Sequence, residues 1–132
     1  MTDSRIASLQ QACPGLKLKT DPADLEHYGR DWTRRWTPAP LAIALPATVE
    51  EVQAVMRWSA AEAASVVPSG GRTGLSGGAV AANGELVLSL ERMTTPLSSD
   101  AAARTLVVQA GMPPEALHNA ALEQEPESGV QG

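Results

Sequence analysis

The sequence predicts an α+β fold, in which helices and strands follow one another in mixed order around one core. Three observations support this prediction. Hydrophobic residues make up 43% of the 132 residues, which suffices for a buried core and excludes a disordered chain. Short apolar runs of strand length are bounded by turn residues. Apolar residues at helical spacing follow recognisable helix-start residues.

The N-terminal region is predicted to form one helix followed by irregular chain. Asp3 or Ser4 can cap this helix, and Pro14-Gly15 ends it. The polar stretch 16–40 is predicted to be mostly irregular, with one turn of helix near residues 22–27. The residues predicted on the buried face of the first helix are Ile6, Leu9 and Cys13.

The central region is predicted to form a strand and then a helix. The apolar run 41–46 predicts a buried strand. Thr48 and Glu51 form a capping box, in which each side chain accepts a hydrogen bond from the other's backbone N–H. The helix should therefore begin at Val49 and continue to about Ala64. The apolar residues at helical spacing in this stretch are Val49, Val52, Val55, Met56, Ala60 and Ala63.

Three more strands and a last helix are predicted beyond this point. An Asn83-Gly84 turn precedes the longest of these strands. Pro113 and Pro114 begin a helix that ends near Gln124. The predicted strands span residues 66–68, 85–90 and 105–109. We divide the chain into an N-terminal helix with an irregular segment (1–40), one domain (41–122) and a divergent or disordered tail (123–132).

Charge and composition narrow the classes of function. The net charge of −5 argues against nucleic acid, whose phosphates require a basic surface. The single cysteine cannot form an internal disulfide, and the two histidines, His27 and His118, are too few for a metal site. No signal peptide and no apolar run of membrane length occur, so we expect a cytoplasmic protein without a membrane span.

The tryptophans and the arginine-rich stretch have simpler structural explanations. Trp58 lies in the predicted central helix, where packing at the edge of the core is favoured over stacking on a ligand. Two interpretations stay open for Trp32 and Trp36. Either they stack on a flat ligand, or they pack in the core or against a partner protein. The stretch that holds Arg30, Arg34 and Arg35 is predicted to be a solvated face.

Residues 69–79 (SGGRTGLSGGA), here called the glycine loop, hold five glycines in eleven residues. Glycine lets successive backbone N–H groups converge on an anion, and the loop contains no acidic residue. These properties predict a diphosphate site, whereas a flexible surface loop or a tight turn remains the alternative. The loop lacks the Gly-Lys-Ser/Thr of a Walker A loop and the Gly-x-Gly of the Rossmann fingerprint, so neither of those sites is predicted.

Residues 66–79 resemble the diphosphate loop of FAD-linked oxidases of the vanillyl-alcohol oxidase and p-cresol methylhydroxylase (PCMH) type. Within that superfamily they are most similar to D-2-hydroxyacid dehydrogenases, which act on D-lactate, glycolate or D-2-hydroxyglutarate. The resemblance extends over about residues 25–122 and includes Asp31-Trp32-Thr33 and the capping-box helix. It implies that the α+β fold is the first half of a PCMH-type FAD-binding domain.

The resemblance also implies which residues hold FAD. The backbone of residues 70–74 would contact the diphosphate, and Arg72 would either pair with phosphate or form an outward salt bridge. Some relatives bind flavin covalently through a loop histidine, but Thr73 stands at that position, which implies non-covalent binding. The implied cofactor-binding residues are Ser69, Gly70, Gly71, Arg72, Thr73, Gly74, Gly77, Gly78 and Ala79.

The resemblance assigns no catalytic residue and no metal ligand to this chain. Relatives continue into a second glycine- and asparagine-rich segment and a substrate domain, whereas residues 123–132 depart from the family pattern. We therefore expect a truncated or frame-shifted chain that binds FAD weakly and is inactive by itself. Three hypotheses stay open: the FAD-binding part of an oxidoreductase acting on the CH–OH group of D-2-hydroxy acids, a non-catalytic remnant, or a module that pairs with a separately encoded C-terminal half or with itself.

Overall fold

The computed structural model describes residues 3–124, and it describes their side chains as far as residue 122. The elements are α1 (Ser4–Ala12), β1 (Lys17–Lys19), α2 (Pro22–Tyr28), β2 (Ala42–Leu45), α3 (Val49–Glu62), β3 (Val66–Ser69), β4 (Leu86–Ser89), β5 (Pro96–Asp100), β6 (Thr105–Val108) and α4 (Pro114–Gln124). This mixed order confirms the predicted α+β fold. The elements form two compact units, one that ends at Arg92 and one that begins at Met93.

The first unit contains a four-stranded sheet in the order β1-β2-β4-β3. Strands β2, β4 and β3 run parallel, and β1 pairs antiparallel with β2. Every residue of β2 and β4 is buried, so these two strands are the centre of the sheet. Continuous apolar sequence is typical of parallel strands covered on both faces, which explains why residues 41–46 were recognisable as a strand.

Both faces of this sheet carry a hydrophobic cluster. Successive strand residues point to opposite faces, so Ala42 and Ala44 join one cluster while Ile43 and Leu45 join the other. The first cluster is completed by α1 and α3, and the indole N–H of Trp58 donates to the backbone oxygen of Arg5 at 3.0 Å. The second cluster includes Tyr28, Ala81 and Val87. The predicted burial of Ile6, Leu9 and Trp58 is thus confirmed, and Cys13 is half-buried.

Two polar strands were not predicted. Residues 16–40 were expected to be mostly irregular with one turn of helix near residues 22–27; they contain β1, and the helix α2 forms at the expected place with seven residues. Strand β5, with the sequence PLSSD, lacks the apolar alternation by which strands are recognised and is exposed throughout. Both strands are stabilised by pairing with a neighbouring strand, β1 with β2 and β5 with β6.

Helix α3 begins at Val49, as predicted, but its cap and its buried face differ from the expectation. Thr48 Oγ1 accepts the N–H of Glu51 at 3.2 Å, whereas the Glu51 carboxylate reaches the N–H of Ala47 rather than that of Thr48. Val55 and Trp58 are the buried residues of this helix, while Val49 and Met56 are exposed.

The second unit contains the antiparallel pair β5–β6 and helix α4. The predicted fourth strand and last helix correspond to β6 and α4. Residues 125–132 of the predicted tail lie outside the described residues. Within residues 3–124, no helix is long and apolar enough to cross a membrane.

Candidate functional site

The glycine loop leaves the carboxyl end of β3 at the edge of the parallel sheet. Ser69 is the last residue of β3 and is almost completely buried. Its backbone oxygen accepts the N–H of Leu90 at 3.0 Å, which ties the start of the loop to the end of β4. Ligands of open α/β sheets bind outside the carboxyl ends of the strands, so the loop occupies a suitable position for a cofactor.

The backbone N–H groups of the loop are largely unused by the protein. In the part of the chain that the structure describes, the N–H groups of residues 70–76 donate no hydrogen bond. These residues are exposed, apart from the half-buried Arg72. A run of seven such donors can therefore be satisfied by water or by an anionic ligand.

The loop glycines divide into one that the fold requires and four that it does not. Gly77 has a φ of +82°, and a Cβ there would lie 3.0 Å from the Trp36 ring. A Cβ built on any of the other four would meet no atom within 4 Å. A tight turn therefore explains why glycine stands at position 77 but not why it stands at the other four positions. Close approach of a ligand to the backbone explains glycine at all four of these. The four open positions are Gly70, Gly71, Gly74 and Gly78.

Arg72 folds back onto its own loop. Its φ is +59°, and its Nη1 donates to Ser69 Oγ at 3.2 Å and to the backbone oxygen of Gly70 at 3.1 Å. The guanidinium carbon lies 4.5 Å from the centre of the Tyr28 ring. Among the described residues Arg72 forms no salt bridge, so the outward ion pair considered from the sequence is not observed.

A cleft of about 210 Å³ lies between the loop and the segment that follows α2. Two residues of the predicted solvated face, Arg30 and Arg34, line it; Arg34 is exposed, as predicted, and Arg30 is half-buried. Arg30 also pairs with Glu26 at 3.7 Å on the adjacent turn. The remaining lining residues are His27, Asp31, Trp32, Gly71 and Arg72. The cationic groups make this cleft suited to an anion.

Asp31 is a buried carboxylate that binds the loop directly, a contact that the sequence analysis did not predict. Its Oδ2 accepts the N–H of Gly77 at 3.1 Å, while Oδ1 accepts both the N–H and the hydroxyl of Thr33. The Thr33 hydroxyl is the main cause that lowers the pKa of Asp31, and the N–H groups of Thr33 and Gly77 act in the same direction against the effect of burial. Asp31 is therefore held as a carboxylate.

The two histidines, His27 and His118, are both exposed. His27 Nε2 lies 3.4 Å from an Arg72 nitrogen, so this histidine belongs to the surroundings of the loop. Within residues 3–124, no group of three or more metal-ligating side chains occurs.

A sequence model described as an FAD binding domain matches residues 40–130. The chain belongs to this family. A D-2-hydroxyglutarate dehydrogenase of Xanthomonas citri pv. viticola is 78% identical over 124 residues, which are 94% of this chain and 26% of that protein. The chain spans about a quarter of the length of the curated relatives that it matches. The prediction of FAD as cofactor is confirmed.

Solved structures show the fold of this FAD-binding domain. An alkyldihydroxyacetonephosphate synthase matches with a TM-score of 0.80 at 20% identity, covering 92% of this chain and 25% of that one. A p-cresol methylhydroxylase matches with a TM-score of 0.77 at 17% identity, covering 92% of this chain and 24% of that one. The predicted PCMH-type fold is confirmed.

The residues of the glycine loop fit the diphosphate of FAD. Two linked phosphates need several closely placed hydrogen-bond donors and little steric bulk. The loop offers the N–H groups of residues 70–76, which donate to no described residue, and four glycines whose Cβ positions are open. The nine cofactor-binding residues deduced from the resemblance remain a prediction. Of these, Ser69 is buried and its hydroxyl oxygen accepts a hydrogen bond from Arg72, while the N–H of Gly77 donates to Asp31.

Proposed function

We propose that this domain binds FAD non-covalently for a flavin-dependent oxidoreductase that oxidises the CH–OH group of a D-2-hydroxy acid, D-2-hydroxyglutarate being the favoured substrate. The observation that carries the FAD site is the run of unused N–H groups at residues 70–76 at the carboxyl edge of the sheet. The substrate class rests on the D-2-hydroxyglutarate dehydrogenase that is 78% identical to this chain.

The residues of the loop would bind FAD through its diphosphate. Backbone N–H groups of residues 70–74 donate to the phosphate oxygens, and nearby cations offset the phosphate charge. Arg72 has a fixed guanidinium beside this run, while Arg30 and Arg34 line the adjoining cleft. Thr73 has no nucleophilic imidazole, which supports non-covalent binding. Bound FAD supplies a hydride acceptor, and this chain supplies its binding and orientation.

The proposal is tested by calorimetric titration of the 132-residue chain with FAD, ADP and riboflavin. FAD and ADP contain the diphosphate and should bind, whereas riboflavin lacks it and should bind at least about tenfold more weakly. Equal affinity for FAD and riboflavin would contradict a diphosphate site. The absence of any FAD binding would remove the proposed function.

A substitution in the loop localises the site. Gly71→Val should reduce FAD affinity by about tenfold or more, because its side chain occupies space that the phosphates need. It should change the melting temperature little, because Gly71 is exposed and a Cβ there meets no protein atom within 4 Å. Gly15→Ala is the matched control, because Gly15 lies outside the loop and its added Cβ meets only Glu51, at 3.9 Å.

A further inference from the structure

Asp31 is a buried carboxylate that forms no salt bridge within residues 3–122. It is 3% exposed. Burying a charge is costly unless hydrogen bonds compensate for its lost hydration. Three donors meet it here, two from Thr33 and one from Gly77. Asp31 therefore connects the segment after α2 to a loop residue 46 positions further along the chain.

Three other contacts join the same two segments. The N–H of Trp32 donates to the backbone oxygen of Gly74 at 3.3 Å. The N–H of Ala81 donates to the backbone oxygen of Gly29 at 3.0 Å. The ring of Trp36 packs against Gly77 so closely that a Cβ would not fit without movement. Together these contacts hold residues 74–81, which are the second half of the glycine loop and the two residues after it, against residues 29–36.

The N–H groups of residues 70–76 donate to no described residue, so their arrangement depends on the other contacts of this stretch. The Arg72 side chain fixes the first part of the run through Ser69 and Tyr28, and the backbone oxygen of Gly74 accepts the N–H of Trp32. Gly77 fixes the end of the run, because its N–H donates to Asp31.

We infer that Asp31 is a positioning residue, which holds the bend at Gly77 so that the N–H groups of residues 70–76 are already arranged for the FAD diphosphate. This inference rests on the proposed role of the loop. Preorganisation strengthens binding because the ligand does not have to order the loop. Asp31 does not itself bind phosphate, since both of its oxygens are occupied and its charge would repel an anion.

The inference is tested with Asp31→Asn. The amide has the same size but presents two N–H donors, so it cannot accept all three of the present hydrogen bonds. We expect FAD affinity to fall about tenfold while riboflavin binding does not change. Hydrogen exchange of the Gly77 amide should accelerate, and exchange in β2 and β4 should stay slow. Gln53→Ala, on an exposed position of α3, is the control and should change none of these quantities.

Two outcomes separate this inference from the proposed function. The first outcome is that the unaltered chain binds FAD and Gly71→Val does not, while Asp31→Asn keeps full affinity and slow exchange of the Gly77 amide. The positioning role is then wrong and the FAD site stands. The second outcome is that Asp31→Asn does not fold, in which case hydrogen exchange of the unaltered chain tests the inference. Its Gly77 amide should then exchange slowly without FAD, while the amides of residues 70–76 become protected only when FAD is added; fast Gly77 exchange would overturn the inference.

Discussion

At the scale of single residues, Tyr28 connects the core to the glycine loop. Its side chain is buried in the second cluster, and its hydroxyl donates to the carboxylate of Glu91. Two cations lie near its ring: the guanidinium of Arg72 is 4.5 Å from the ring centre and Lys19 Nζ is 5.3 Å from it. Burial, followed by the Glu91 carboxylate, raises the pKa of Tyr28 to about 12.

The raised pKa of Tyr28 predicts a loss of stability in alkaline solution. An ordinary tyrosine ionises near pH 10, so between about pH 10 and 12 the unfolded chain loses its proton before the folded chain does. The contribution of Tyr28 to stability is thus complete below about pH 10 and is lost as pH rises towards 12. Because Tyr28 is the single tyrosine, tyrosinate absorbance reports it directly.

The measurement is an alkaline titration of the folded chain, with the same chain in urea as the control. The folded midpoint should lie well above that of the unfolded chain, and Glu91→Gln should lower it because the carboxylate charge is removed. Identical midpoints for the folded and unfolded chain would mean that Tyr28 is not buried against Glu91.

The sequence could identify the loop but not the residues that hold it. Five glycines among eleven residues made the loop recognisable, because glycine spacing is a local property. The contact between Asp31 and Gly77 spans 46 residues, so no local pattern indicates it. The outward salt bridge that was one alternative for Arg72 is not found among the described residues, where Tyr28 and Ser69 contact the guanidinium instead.

At the scale of elements, the start of α3 is determined by two side chains. Thr48 accepts the N–H of Glu51, and Glu51 accepts the N–H of Ala47 at 2.8 Å. Each of these N–H groups lies at a helix start, where no carbonyl of the helix is available to them. The cap also determines where the chain turns from β2 into α3.

Removal of this cap should lower stability measurably. Thr48→Ala leaves the N–H of Glu51 without its acceptor, which should cost about 1 kcal/mol of unfolding free energy. The free energy is measured by urea denaturation, followed by helical circular dichroism. Gln53→Ala, on the exposed side of the same helix, serves as the control and should change stability by less than about 0.5 kcal/mol. Equal effects of the two substitutions would show that the cap contributes nothing.

Elements with apolar patterns could be predicted, whereas elements that depend on pairing could not. Strands β2 and β4 are buried throughout, so their sequences are apolar and recognisable. Strand β1, with the sequence KLK, lies at one edge of the sheet, opposite β3. Its sequence has no apolar strand pattern, and its strand structure depends on pairing with β2. The buried face of α3 was also unpredictable in detail, because several apolar residues surround the helix and α1 contacts one side.

At the scale of the whole molecule, buried apolar surface is distributed unevenly. The two hydrophobic clusters consist of residues before Arg92, and β2 and β4 lie between them. The hairpin β5–β6 has mostly exposed side chains, among them Leu97 and Val107, and its register is irregular near Pro96. A two-stranded hairpin with little burial is marginally stable in water.

This distribution predicts two levels of protection from hydrogen exchange. The amides of β2 and β4 should exchange only when the core of the first unit unfolds, whereas those of β5 and β6 should exchange through local opening, orders of magnitude faster. Mass spectrometry of exchanged peptides measures both. Leu86→Ala is the decisive variant, since Leu86 is 1% exposed and its truncation should cost about 2–5 kcal/mol. It should accelerate exchange in β2 and β4 and leave the rates of β5 and β6 unchanged, and equal protection of the hairpin and the sheet would contradict the prediction.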